Sequence, residues 1–424
     1  MSTAATVADV RGVLRGPFRV LVAGRLFDAI GNGMTLSLLV VYLAEVRGIP
    51  ILIASLVLTW MAVLGMAAAP LAGTLTDRFG PRRVILVAVA LECVGVALLS
   101  QVTSAGSAFA VATLMAIGGA GIWGPISTFT AQIVPEEKRP TAFAVSFMCL
   151  NLGLGIGGLI GAAVVDISRP ETFVTLYLLD AATYAFTWVA VASLRGHGGP
   201  VPRADSDIPG AGAEPGGWRV ALGDRRLRRM VAASLLLLTF GYGSLEAGLA
   251  IFVTDTARLP EGVIGIVWLV NTAMIVVSQL FVLAWVRGRS RTRMIGLVGA
   301  LWGASWLILA LVPGIPATAG VVVLLASTAV FALGESVWSP TAPALVNAIA
   351  PDHLRGRYNS AQTLTWSVSA ALAPVLSGLL IGAGRGALWA ALVGLGCLAA
   401  GAYAQTLRNV VSAEEDGRET RVSA

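Results

Sequence analysis

Charge is what this sequence has least of. Only 12% of its 424 residues are Asp, Glu, Lys or Arg, against about 25% in a soluble domain. Lysine is nearly absent: Lys138 stands beside 28 arginines. Histidine occurs twice, as His197 and His353, and cysteine three times, as Cys93, Cys149 and Cys397. The cysteines fall inside apolar runs and imply no disulfide framework. The histidines fall in polar segments, so no metal spacing is present and no metal is expected. The phosphate-binding pattern G-x-x-x-x-G-K-[ST] is missing, which argues against ATP-driven chemistry. No nucleophile motif appears, so no catalytic residue, no cofactor and no enzyme are expected.

Apolar residues fill the space that charge leaves. They make up 56% of the chain, and the mean hydropathy is +0.82. Runs of about 20 apolar residues mark membrane-spanning helices. Twelve are present, near 18–44, 51–75, 84–103, 107–133, 141–165, 172–194, 230–254, 262–286, 294–313, 318–346, 358–383 and 387–406. Lipid offers no partner for bare backbone groups, so the runs are helices. The chain also repeats itself. Gly31, Gly33, Tyr42, Glu45 and Pro50 recur 210 positions on as Gly241, Gly243, Phe252, Asp255 and Pro260. Trp123, Pro125, Pro135 and Arg139 recur as Trp338, Pro340, Pro351 and Arg355. The expected fold is therefore an all-α integral membrane protein, with twelve transmembrane helices in two pseudo-symmetric six-helix bundles. The bundles are 1–194 and 230–406, with a cytoplasmic linker at 195–229 and a cytoplasmic tail at 407–424.

The net charge of +6 could suggest a nucleic-acid partner, but its distribution points to a membrane instead. Of the 29 basic residues, 24 fall on one set of alternate segments, and the opposite loops hold only Arg47, Arg169, Arg258 and Arg385. This asymmetry places both termini in the cytoplasm. The first 17 residues are polar, so no cleaved signal peptide is expected. The linker is rich in Pro and Gly and is expected to be flexible. It ends in Arg225, Arg226, Arg228 and Arg229, which reads as a lipid-surface anchor. The polar tail after Arg408 is expected to be disordered. The excess of Arg over Lys, with abundant Ala, Gly and Val, fits a GC-rich bacterial genome.

After the second run comes Gly73-Thr-Leu-Thr-Asp77-Arg78-Phe79-Gly80-Pro81-Arg82-Arg83. This segment resembles the G-x-x-x-D-R-x-G-R-[RK] signature of the major facilitator superfamily, with Pro81 as a departure. The resemblance implies that Asp77 latches the cytoplasmic side, with Arg78 or Arg82 and the chain near Arg357–Ser360 as partners. The corresponding loop of the second half, Arg287–Arg293, has Arg287 where Asp77 would stand, so a symmetric second latch is not expected. The fifth run carries Gly153, Gly155, Gly157, Gly158 and Gly161. It is similar to the glycine motif of the family's antiporters, with Gly158 in place of a Pro, and this similarity implies export. Asp180-Ala-Ala-Thr183, read as opening the sixth helix, also resembles drug-exporting members. The Arg that such exporters often carry in the fourth helix is missing, since Leu114 and Met115 precede Gly118 and Gly119.

Ionisable residues inside the runs are expensive and mark functional candidates. Arg25, Asp28 and Asn32 are spaced i, i+3, i+7 and share one helical face. On that face Arg25 either reaches back to the interface and neutralises Asp28, or tunes an acid that lines a cavity with Asn32. Glu246 and Glu335 fall in the seventh and tenth runs, and their repeat partners are Leu36 and Ala120. Their charge is therefore not architectural. Burial favours the neutral form of an acid, which suits a proton carrier. The candidates for proton coupling are Glu335, Glu246 and Asp28. Glu92 has no obvious companion and is expected to be peripheral, while Asp166 and Glu171 read as solvated. The resemblance implies a cavity lined by helices 1, 4, 7 and 10. That adds Phe27, Trp123, Tyr242 and Trp338 beside Asn32, as faces for a lipophilic and often cationic ligand. The expected activity is proton-linked export of small lipophilic compounds, a drug or natural product, across the cytoplasmic membrane. The partners are that small molecule, protons and membrane lipid, and the chain is expected to be a monomer. The alternative is a proton-linked or facilitative metabolite importer.

Overall fold

The computed structural model describes residues 3–35, 38–166, 168–201, 217–260 and 262–418. Among them there are helices and turns but no strand. Twelve helices carry the fold. They are α1 (Pro17–Thr35, resuming as Leu39–Val46), α2 (Ile51–Phe79), α3 (Pro81–Leu99), α4 (Ala105–Ile133), α5 (Arg139–Val164), α6 (Pro170–Ser193), α7 (Arg225–Thr256), α8 (Gly262–Val286), α9 (Arg291–Leu309), α10 (Ala317–Ile349), α11 (Arg355–Gly382) and α12 (Gly386–Ala404). Ten of the described helices are long and apolar enough to cross a bilayer by themselves, and α1 is an eleventh when its two pieces are joined. α3 falls short because 19 residues include Arg82, Arg83 and Glu92. The twelve expected spans are thus all present as helices.

Local sequence explains the ends. Pro17, Pro81 and Pro170 open helices, where a missing N–H costs nothing. Ser104 and Ser107 cap the start of α4 reciprocally. Gly80, at φ +84°, lets α2 turn directly into α3, in a conformation that a Cβ disfavours.

Contacts divide the chain into two compact units. Among the described residues, one holds those from 9 to 217 together with 351–363, and the other those from 218 to 350 and from 364 to 418 with 3–8. In the first, α1 packs on α5 and α6, α3 on α4 and α6, and α2 on α4. In the second, α7 packs on α12, α9 on α10 and α12, and α8 on α10. The repeat is visible in fine detail. α1 ends in a π-helical turn at Tyr42–Val46 and α7 in another at Phe252–Thr256. The 3-10 turn Glu136–Lys138 leads into α5 as Asp352–Leu354 leads into α11. The first core is built on Tyr42, Phe173 and Tyr177, and the second on Trp302, Trp306, Trp389 and Phe331.

Several expectations are corrected. α7 begins at Arg225, so the basic cluster is the first turn of a helix, capped by Asp224 through the Arg226 N–H. Three of its four side chains bond within the protein. Arg226 pairs with Asp224 and Glu415, Arg228 donates to the Leu222 and Gly223 carbonyls, and Arg229 donates to the Thr406 carbonyl. Residues 202–216 of the expected linker lie outside the described residues, whereas its start is packed, with Gly198 set between Phe129 and Arg82. The tail is not disordered as far as residue 418. Fully buried Asp416 accepts hydrogen bonds from Ser290 Oγ at 2.7 Å and from the Thr292 N–H at 2.8 Å. The tail acid thereby caps α9.

Candidate transport site

Three acids lie inside the first unit. Asp28 on α1 is buried and stands 3.7 Å from Arg25, one turn before it. Arg25 stays inside the protein, and its guanidinium lies 4.4 Å from the ring centre of Trp123 on α4. Asn32 Nδ2, one turn further on, donates to the Tyr184 hydroxyl of α6 at 2.8 Å. The face carrying Arg25, Asp28 and Asn32 therefore turns towards α6. Asp28 Oδ1 and Arg25 Nε have no hydrogen-bond partner among the described residues.

Asp180 is the second acid. It sits in the middle of α6, not at its opening, and is 1% exposed. Thr35 Oγ1 of α1 donates to its Oδ2 at 2.5 Å. Gly31 lies against the same carboxylate, where a Cβ would strike it. Glu92, expected to be peripheral, is the third. It is buried on α3 and lies against Gly118 and Gly119 of α4. Gly118 makes room for it. At the repeat-related crossing of α9 on α10, Gly334 makes room for Trp302 instead.

In the second unit, Glu335 on α10 is 3% exposed, and Asn271 Nδ2 of α8 donates to its Oε2 at 2.6 Å. Its recorded partner is thus a neutral amide rather than a cation. A polar seam continues from it, with Ser278 Oγ 3.0 Å from Ser336 Oγ and Gln279 Nε2 donating to the Ser336 carbonyl. Glu246 on α7 is exposed and stands one turn after Tyr242. Tyr242 packs edge-on against Trp366 of α11 at 4.7 Å. The two repeat-related tryptophans have different surroundings. Trp123 is 51% exposed, whereas Trp338 is buried 6.1 Å from Trp302. Phe27 is exposed against Phe186 of α6.

The signature segment forms a contact with the start of α11. Asp77 Oδ1 accepts from the Gly356 N–H at 2.6 Å, and Oδ2 accepts from the Arg357 N–H and from Arg357 Nη1 at 2.8 Å. The acid sits at the wrong end of its own helix but at the favourable end of α11. The expected arginine partners are corrected: Arg78 lies over Phe79, and Arg82 donates to the Val191 and Ala192 carbonyls at the end of α6. Arg83 is exposed. Gly73 admits α11 to α2, since a Cβ there would strike Ser360. Among the α5 glycines, Gly153, Gly157 and Gly161 are buried against the α1 backbone near Leu26, Ile30 and Met34, while Gly158 is exposed. In the loop before α6, Asp166 accepts hydrogen bonds from the N–H and hydroxyl of Ser168, which lower its pKa below the usual carboxylate range.

The model of the Major Facilitator Superfamily matches residues 21–325. An uncharacterised MFS-type transporter of Escherichia coli, YdeE, is 25% identical over 87% of this chain and 89% of its own. A Na(+), Li(+), K(+)/H(+) antiporter of Planococcus maritimus is 22% identical over 84% of this chain and 88% of its own. Among solved structures, a bacterial homologue of the iron transporter ferroportin in an outward-facing state has the same fold. It covers 93% of this chain and 100% of its own, with a TM-score of 0.78 at 14% identity. With twelve helices in two repeats and this match over most of its length, the chain is a multi-pass membrane transporter that belongs to the major facilitator superfamily.

Proposed function

We propose that the protein is a secondary active exporter of small lipophilic compounds, a drug or natural product, exchanged for protons across the cytoplasmic membrane by alternating access. The observation that carries this reading is Glu335, a buried carboxyl held by the Asn271 amide. An acid held by a neutral donor inside a bundle can exist without its charge, so it can load and release a proton. Glu246, with Tyr242 and Trp366 beside it, offers a cationic ligand an acid and aromatic faces together. Protonation removes the carboxylate's hold on such a ligand, and the ligand in turn disfavours the proton, so the two fluxes are linked. Release of Asp77 from Gly356 and Arg357 would free the start of α11 from α2. The glycine contact of α5 on α1 supports export, in line with the antiporter-like motif.

An inorganic monovalent cation as cargo is a second reading. It is favoured by the excess of buried acids (Asp28, Glu92, Asp180) over buried arginines (Arg25, Arg139) in the first unit, and by the resemblance to the Planococcus maritimus antiporter.

The test is dye accumulation in a pump-deficient bacterium expressing wild type or Glu335→Gln. Lower accumulation with wild type, abolished by an uncoupler and by Glu335→Gln at equal membrane abundance, is the expected result. Higher accumulation with wild type would indicate import, and Glu335→Gln retaining coupled export would overturn the role of Glu335.

A further inference from the structure

Between α9 and α12, where α9 starts and α12 ends, lies an open groove of about 480 Å³. Its lining includes Arg293, Leu297, Ala300, Ala402, Gln405 and Arg408. The groove follows from how these helices cross. Gly296, Gly299 and Gly401 bring the two backbones together, so that a Cβ at Gly299 would lie 2.5 Å from Gly401 Cα. Gln405 spans the crossing and donates to the Thr292 carbonyl at 3.1 Å. With no large side chain to fill the gap, a furrow remains along the outer face.

We propose that this furrow binds an anionic phospholipid, its phosphate held by Arg293 and Arg408 and an acyl chain lying along Leu297, Ala300 and Ala402. Charge argues for it first. Both guanidiniums are exposed, and among the described residues neither makes a hydrogen bond or an ion pair. Their neighbours are committed elsewhere: Arg226 to Asp224 and Glu415, Arg229 to the Thr406 carbonyl, Arg291 to the Glu415 carbonyl, and Arg418 to Asp416. Of the nearby tail acids, Glu415 and Asp416 are engaged by those bonds and Glu414 is exposed outside the groove lining, so the lining itself carries two arginines and no acid. Two forked guanidiniums on facing helix ends suit a phosphate.

Position argues for it second. Arg293 lies in the first turn of α9, and Arg408 follows the end of α12, which is headgroup depth for spanning helices. Leu297 and Ala300 lie one and two turns further in. The site is therefore polar at its rim and apolar below, like an amphiphile, and a free phosphate would leave the apolar part unused. A basic pocket between spanning helices at headgroup level is a recognised form of lipid site.

The test uses the purified full-length protein in detergent, by native mass spectrometry and thermal melting. The probes are phosphatidylglycerol, phosphatidylcholine and inorganic phosphate. Phosphatidylglycerol is expected to leave a retained adduct and raise the melting temperature, with neither effect from the other two. Arg293→Gln with Arg408→Gln should weaken phosphatidylglycerol binding about thirty-fold, as loss of two arginines near an anionic headgroup implies. If that variant fails to fold, Ala402→Phe fills the groove, keeps both arginines and should also remove the adduct. Equal binding by phosphatidylcholine, full effect from inorganic phosphate alone, or unchanged binding in the folded variants would overturn the proposal.

Discussion

At the scale of the residue, the same helix crossing carries an acid in one unit and an indole in the other. Glu92 rests against Gly118 where Trp302 rests against Gly334. The repeat therefore supplies a scaffold, and the charge is an addition to it. Sequence reading picked out Asp28, Asn32 and Glu335 because they interrupt apolar runs. The partners of Asn32 and Glu335 are not legible in the sequence, because Tyr184 and Asn271 are brought near by tertiary packing and not by helical spacing. Glu92 reads as isolated for the same reason, since Gly118, which makes room for it, lies on another helix. The Arg25–Asp28 pair gives a stability prediction. Asp28→Asn leaves Arg25 as a buried cation without its counter-charge, which should cost about 3 kcal/mol. Arg25→Gln added to Asp28→Asn should recover much of that loss. Thermal melting of the three proteins in detergent checks it, and no recovery in the double variant would show that the pair does not matter to folding.

Between elements, small residues decide where helices touch. In α5, Gly157 faces the Ile30 carbonyl of α1, whereas Gly158, one residue on, has only the Gly33 carbonyl 3.9 Å from an added Cβ. Lipid drives no association of helices, so such close approach is what holds them. Gly157→Ala should therefore destabilise by about 1–3 kcal/mol, the usual cost of overpacking, while Gly158→Ala should be neutral. Melting temperatures of the two variants, measured side by side, check this, and equal effects would contradict it. The five glycines were legible in the sequence, but which of them meet α1 was not, because that depends on the rotation of α5. The signature segment behaved similarly. Its Asp77 was expected to meet the start of α11, and it does. The arginine it meets is Arg357, because Arg82 is drawn to the carbonyl end of α6. Asp77→Ala removes three hydrogen bonds to that helix start. Accelerated proteolysis or cysteine labelling near residue 357 should follow. Labelling unchanged from wild type would show that Asp77 does not hold the segment.

On the scale of the whole chain, twelve apolar runs and the internal repeat made the architecture readable from composition and spacing alone. The C-terminal end is less readable, because a polar sequence alone does not distinguish a packed tail from a disordered one. Residues 410–418 are polar and yet packed, since Asp416 and Glu415 answer the arginines and the α9 start. The Arg287–Arg293 loop, which lacks a counterpart of Asp77, thus receives its acid from the tail. Truncation after residue 409 should lower the melting temperature without preventing membrane insertion, and an unchanged melting temperature would show the tail to be dispensable.

The central claim is that a buried carboxyl in the second unit carries the proton that drives transport. Its most direct test is proton movement in vesicles reconstituted with purified wild type or Glu335→Gln, recorded with a pH-sensitive dye trapped inside. On adding a lipophilic cation to one side, the account predicts a proton flux in the opposite direction for wild type and none for Glu335→Gln. Equal proton flux in both proteins would contradict it.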